Sequence, residues 1–161
     1  MEKGNRIMKI GIVGQGYVGT AIKGGFEKHY EIETYDKFST SKNVYITQLG
    51  TYDQSKNGLS SSHAVGLYNS SKSLLVSGTV QSGTSSPLEG YFRFTDVDPT
   101  LISAGSTYYV AAVTSGDSWS YRPSSFSKGS EVNYLGYAYS TGSSLPSTFP
   151  TNTSNYTCLL Y

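Results

Sequence analysis

The 161-residue sequence has little charge, one cysteine and no long apolar run. Charged residues make up 14% of the chain and the formal net charge is +1, so no electrostatic surface for nucleic acid or an anionic membrane is expected. The single cysteine, Cys158, excludes an internal disulfide and a structural zinc site built from several thiolates, and we expect it to be buried and inert. The apolar run at residues 10–14 is too short for a signal peptide, which predicts synthesis in the cytoplasm.

The residues that are abundant are those of β-rich surface proteins. The chain holds 27 Ser, 16 Thr, 15 Tyr and 18 Gly, against one Trp. Their distribution is uneven, because residues 1–42 carry 12 charged side chains and residues 43–161 carry only 11. This change predicts two units, a partial Rossmann-like β-α-β segment over residues 1–42 and a β-sandwich domain over residues 43–161.

The first unit has the pattern of a strand, a glycine-rich turn, a helix and a second strand. Lys9–Val13 is a short apolar run, residues 17–29 are apolar at helical spacing, and residues 31–35 alternate as a strand. The turn between strand and helix has the GxGxxG spacing of dinucleotide-binding proteins, in which the glycines admit a pyrophosphate to the helix N-terminus. An acid at the end of the second strand is placed to bind a ribose hydroxyl. The predicted cofactor-binding residues are Gly14, Gly16, Gly19 and Asp36.

Residues 8–37 resemble the N-terminal NAD-binding β-α-β unit of the UDP-glucose/GDP-mannose dehydrogenases. The resemblance implies NAD or a nucleotide sugar as ligand, but the family's remaining sheet and its catalytic lysine and cysteine motifs are absent from this sequence. A single β-α-β unit does not close a dinucleotide site by itself. A recruited unit that packs against a neighbour, with no cofactor, is the preferred interpretation, and NAD binding is the alternative.

From residue 43 onward the sequence alternates with a period of two, and turn residues separate the alternating segments. We predict strands near residues 44–47, 65–68, 73–80, 91–94, 107–113, 134–139 and 156–161, with turns that include Lys56-Asn57-Gly58 and Asp98-Pro99. The predicted fold is mainly β, an antiparallel, jelly-roll-like β-sandwich with a short N-terminal β-α-β arm.

Three stretches of this second unit, residues 49–69, 85–94 and 101–108, follow a recurring pattern. They include Gly50-Thr51-Tyr52-Asp53 and Gly90-Tyr91-Phe92-Arg93-Phe94. Over residues 44–113, and on to residue 161 in the widest interpretation, the chain resembles a β-sandwich module of unknown function found in secreted bacterial proteins with PEP-CTERM sorting signals. The resemblance implies display or binding and no enzymatic activity.

Few residues are candidates for chemistry. His63 precedes a predicted strand, and Asp53 is its nearest plausible partner, although a hydrogen bond that braces a turn is the simpler role. Asp96 and Asp98 lie on one face of an extended segment and are weak calcium candidates, with an Asp-Pro turn as the commoner explanation. No GxSxG nucleophile motif is present. No catalytic residue and no cofactor are therefore predicted.

One aromatic cluster suggests a carbohydrate site. Trp119, Tyr121 and Arg122 would stack on a sugar ring and donate hydrogen bonds to it, unless Trp119 only packs within a loop. The leading hypothesis is a non-enzymatic structural or adhesion module, with a virion (phage) surface or decoration protein as one form. Its partners would be other protein subunits or surface glycans, and a homo-oligomer is compatible with this role. A carbohydrate-binding sandwich and an NAD-binding protein are the alternatives.

Overall fold

The computed structural model describes residues 6–12, 32–114, 117, 130–141 and 143–147. Within these ranges the chain forms strands and turns, and no helix is present. No helix long and apolar enough to cross a membrane is found in the described part. The strands there are β1 (Arg6–Ile12), β2 (Ile32–Thr40), β3 (Val44–Tyr52), β4 (His63–Tyr68), β5 (Leu74–Val80), β6 (Leu88–Glu89), β7 (Phe92–Ile102), β8 (Thr107–Thr114) and β9 (Val132–Thr141).

These strands form two packed sheets, with strand orders β1-β3-β7-β6 and β5-β4-β8-β2-β9. All neighbouring pairs are antiparallel except β1 and β3, which run parallel. The predicted mainly β sandwich is therefore confirmed. The strands that sequence alternation predicts between residues 44 and 139 are all present, whereas the predicted strand at 156–161 lies outside the described residues.

The core lies between the sheets because both contribute buried apolar side chains at alternate positions. Strand β3 shows how a bulge preserves this arrangement. Val44 and Ile46 are fully buried, and the register against β7 then shifts between Ile46 and Gln48. Against β1, Met8 pairs with Ile46 and Lys9 pairs with Gln48, so β3 carries one extra residue there. This residue changes the phase of alternation by one, and Leu49 again enters the core. Strand β3 thus contributes apolar side chains to the core on both sides of the bulge.

The N-terminal strands are arranged differently from a β-α-β unit. Such a unit places its two strands in one sheet as parallel partners. Here β1 pairs with β3 in the four-stranded sheet, while β2 lies between β8 and β9 in the five-stranded sheet. The two strands are present as predicted, but their predicted arrangement in one sheet is wrong. The predicted helix lies outside the described residues.

The composition boundary after Lys42 does not separate the sandwich from the preceding residues. Strand β2 makes antiparallel ladders with β8 and with β9, and its Phe38 is fully buried in the core. Hydrogen bonding and burial therefore place residues 32–40 inside the sandwich. The change in charge density after residue 42 is therefore not a structural boundary. Local composition does not show that β2 pairs with strands that begin 67 or more residues later in the sequence.

The turn predicted at Asp98-Pro99 is a β-bulge in the structure. Asp98 and Pro99 lie within β7, where three residues of β7 stand opposite one residue of β3. Strand β6 pairs only with the first residues of β7, so Pro99 costs no ladder hydrogen bond to β6. The predicted Lys56-Asn57-Gly58 turn is confirmed, and both Lys56 (φ 57°) and Gly58 (φ 108°) have the positive φ that such turns require.

The strand registers fix which loops meet at each end of the sandwich. In one sheet β4 begins where β5 and β8 end, since His63 pairs with Val80 and Val65 pairs with Ala112. In the other sheet β3 ends where β7 begins, since Tyr52 pairs with Phe92, and residues 52–60 line one cleft together with Gly83 and Asp117. The loop after β3, the loop after β5 and the residues after β8 therefore gather at one end, which we call the cleft end.

Candidate functional site

An open cleft of about 390 Å³ lies at the cleft end of the sandwich. It is formed mainly by the loop between β3 and β4, with contributions from the loop after β5 and from the residue described after β8. Its lining is mostly polar and comprises Tyr52, Asp53, Gln54, Ser55, Asn57, Gly58, Leu59, Ser60, Gly83 and Asp117. Two acids, Asp53 and Asp117, each connect this lining to buried parts of the fold.

Asp53 forms a buried ion pair with Arg93 of β7. The Arg93 Nε lies 2.7 Å from the Asp53 Oδ2, and the two side chains are only 4% and 3% exposed. The backbone N–H of Gly58 donates to the same carboxylate oxygen at 2.9 Å. A buried carboxylate needs both a counter-charge and hydrogen-bond donors, and Asp53 has both. The carboxylate thereby fixes the loop from residue 53 to residue 58.

Arg93 also makes hydrogen bonds to a second loop, the one after β5. Its Nη1 donates to the carbonyls of Ser86 at 2.8 Å and Thr84 at 3.2 Å, and its Nη2 donates to the carbonyl of Lys56 at 3.3 Å. The planar guanidinium reaches these acceptors at once because its donors point in several fixed directions. We call Asp53 and Arg93 the buried clamp, because this pair joins the loop after β3 to the loop after β5.

His63 and Asp117 form a second connection. His63 is 1% exposed, its Nδ1 lies 2.8 Å from the Val113 carbonyl oxygen, and its Nε2 lies 2.6 Å from Asp117 Oδ2. A carbonyl and a carboxylate are both acceptors, so both contacts are hydrogen bonds when the imidazolium carries a proton on each nitrogen. Asp117 also accepts from the Ser60 backbone N–H at 2.7 and 2.9 Å. We call His63 and Asp117 the latch, and the loop between β3 and β4 the cleft loop. The contacts of Asp117 with His63 and Ser60 connect the residue described after β8 to this loop.

The rim of the cleft differs from its base. Gln54, Ser55 and Asn57 are exposed, and their side chains make no hydrogen bond with the described residues. The Tyr52 ring is fixed by a stacked contact with Tyr91 (5.8 Å between centroids) and by an edge contact with Phe92 (5.5 Å). The cleft therefore combines a base whose two acids are hydrogen-bonded to the fold with polar side chains that are available to a ligand.

The predicted partner of His63 was wrong and its predicted role was right. Asp53 pairs with Arg93, and Asp117 is the acid that contacts His63. The hydrogen bonds of His63 brace the end of β8 and the loop before β4, as the simpler interpretation expected. Sequence reasoning missed the buried clamp because its members lie 40 residues apart and no local pattern joins them.

The weak calcium candidates do not gather a ligand set in the described structure. Asp96 and Asp98 are both exposed on β7. Asp96 accepts a hydrogen bond from the Gln48 side chain at 2.6 Å, and the Asp98 carbonyl accepts one from the Thr100 hydroxyl. Among the described residues, no group of three or more His, Cys, Asp or Glu side chains is positioned to hold a metal ion.

The remaining predicted residues lie mostly outside the described part. The glycines Gly14, Gly16 and Gly19, the aromatic cluster Trp119, Tyr121 and Arg122, and Cys158 are all in the undescribed ranges. Asp36 is described. It is fully buried on β2, on the same strand face as Phe38 and Thr40.

The fold and the cleft define a two-sheet β-sandwich whose loops at one end form a polar cleft. Residues 27–158 match the family model of a domain of unknown function, DUF4082. The chain belongs to that family, because the match covers most of its length. No curated protein and no solved structure matches the chain.

Proposed function

We propose that this protein is a non-enzymatic structural or surface-display module that presents the loops at its cleft end for adhesion. The proposal rests on one observation, namely that the charged side chains at the cleft are hydrogen-bonded to the fold. Asp53, Arg93, His63 and Asp117 are each held by two or more hydrogen bonds to other parts of the fold. Groups held in this way stabilise loops.

A catalytic role would require a different arrangement. A general base must reach the proton that it removes, and a nucleophile needs such a base beside it. Both ring nitrogens of His63 instead contact acceptors of the fold, and its side chain is almost entirely buried. Within the described residues, the cleft thus offers a ligand hydrogen-bonding groups without a free acid–base pair.

Composition and architecture support display. The sandwich is rich in Ser, Thr and Tyr and poor in charge, and a rigid two-sheet core exposes its loops at the ends. A virion surface or decoration protein is the specific form that we propose, because such a protein needs no disulfide and acts outside the cell. Other subunits or surface glycans would be its partners.

Immunogold electron microscopy tests this proposal. Antibody raised against the purified chain is applied to intact cells, to thin sections and to purified particles, with pre-immune serum as the control. We expect label on particles or on cell surfaces. Label confined to the cytoplasm in sections, with none on particles or surfaces, would contradict a display role.

The NAD-binding alternative receives no support from the strand arrangement. Strands β1 and β2 lie in different sheets, and Asp36 is buried. Carbohydrate binding, in contrast, is favoured by the polar cleft, whose capacity for a sugar is developed below.

A further inference from the structure

We propose that the cleft binds an uncharged sugar unit of a surface glycan, which deepens the display function and rests on it for biological context. The volume of about 390 Å³ falls within the range of small-molecule sites. Three properties select a sugar over other ligands of this size, namely the existing partners of the two acids at the base, the chemistry of the rim and the presence of a fixed aromatic ring.

The acids at the base of the cleft already have partners. Asp53 is paired with the guanidinium of Arg93, and Asp117 accepts from the Ser60 backbone N–H and lies 2.6 Å from His63 Nε2. A phosphate would meet two carboxylates, and a divalent cation would have to compete with the existing partners of both acids. Electrostatics at the base therefore favour a ligand that is polar and carries no charge.

The base also keeps hydrogen-bonding capacity for such a ligand. Both hydrogen bonds to the Asp53 side chain from the described residues reach Oδ2, from Arg93 and from Gly58. Oδ1 accepts none there, and the residue lines the cleft. Oδ1 is not among the fully buried polar atoms without a partner, so its lone pairs are accessible and can accept a hydrogen bond from a sugar hydroxyl.

The rim supplies the complementary groups. The amides of Gln54 and Asn57 and the hydroxyl of Ser55 each donate and accept hydrogen bonds, as sugar hydroxyls do. Tyr52 lines the same cleft with a ring held by Tyr91 and Phe92, and an aromatic ring packs against the apolar face of a sugar. These residues together offer the polar and apolar contacts that an uncharged sugar requires.

The test is an NMR titration of the ¹⁵N-labelled chain with methyl glycosides of neutral hexoses and of N-acetylhexosamines. Each probe is added to about 10 mM, tenfold above a millimolar Kd. Inorganic phosphate and calcium chloride are titrated separately. We expect at least one glycoside to shift amide signals within residues 52–60 and at Asp117. Shifts by no glycoside, shifts only elsewhere, or shifts of the cleft by phosphate or calcium alone would overturn the proposal.

Matched variants locate the site. Asn57→Ala and Gln54→Ala each remove an exposed amide at the rim, and each is expected to weaken binding about fivefold, the loss of one hydrogen bond. Asn133→Ala removes an exposed amide at the opposite end of the sandwich, where Asn133 pairs with Ser39, and is expected to leave binding unchanged. Equal effects of all three variants would contradict the assignment.

The outcome is independent of the localisation experiment. Sugar binding at the cleft with only cytoplasmic label would remove the display function and keep the site. Surface label without any glycoside shift would remove the sugar site and keep the display function.

Discussion

The buried clamp offers the most quantitative prediction, because the chain contains a matched exposed pair. Asp53–Arg93 and Glu89–Lys9 both have a nitrogen–oxygen distance of 2.7 Å. The side chains of the first pair are 3–4% exposed, whereas those of the second are 43% and 66% exposed. Asp53→Asn and Glu89→Gln make the same chemical change, from carboxylate to amide, in these two environments.

The expected magnitudes differ because water screens only the exposed pair. Removing one charge from a buried pair leaves the other uncompensated and costs about 3–5 kcal/mol. Arg93 keeps its bonds to the backbone carbonyls in Asp53→Asn, so we expect the lower end, about 3 kcal/mol. Glu89→Gln breaks an exposed pair and should cost about 0–1 kcal/mol.

Urea unfolding followed by circular dichroism measures both values. For a chain of this size a loss of 3 kcal/mol corresponds to a fall in Tm of roughly 6–12 °C, which thermal unfolding checks independently. Arg93→Met should destabilise at least as strongly as Asp53→Asn, because it also leaves the Ser86 carbonyl without its donor. A cost below about 1 kcal/mol for Asp53→Asn, equal to that of Glu89→Gln, would refute the account of the clamp.

Three further outcomes are expected. Gly50→Ala should destabilise by about 1–3 kcal/mol in urea unfolding, because a Cβ there would lie 2.7 Å from the Phe94 ring and 2.8 Å from the Arg93 carbonyl oxygen; an unchanged midpoint would contradict that packing. His63→Phe should cost about 2–3 kcal/mol by the same assay, since it removes the hydrogen bonds with Val113 and Asp117, and wild-type stability would show that the latch contributes nothing. Calorimetry with millimolar NAD should give no heat of binding, whereas saturable heat that Gly16→Val abolishes would restore the dinucleotide hypothesis.

Local patterns predicted the strands of the sandwich well, because alternation along a strand depends on which face is buried. The run from Thr107 to Val113 and the run from Leu74 to Val80 both became strands near their predicted bounds. Strand β6 was missed because two residues are too few to show a period. The Asp98-Pro99 bulge was missed because the same dipeptide is common in turns.

Pairing between distant segments could not be predicted. The sequence around β1 and β2 has the local pattern of a β-α-β unit, yet β2 pairs with β8 and β9, whose positions depend on the whole fold. The buried clamp and the latch join residues 40 and 54 positions apart. The candidate residue His63 was identified from sequence, but its partner Asp117 could be found only from the structure.

Amide hydrogen exchange at the cleft loop tests the central claim most directly, namely that buried charge pairs hold this loop rigid. The Gly58 N–H donates to the Asp53 carboxylate, whereas the exposed Ser55 N–H has no acceptor among the described residues. We predict that the Gly58 amide exchanges much more slowly than the Ser55 amide, and that Asp53→Asn removes most of this difference. Equally rapid exchange of both amides in the unaltered protein would contradict the account.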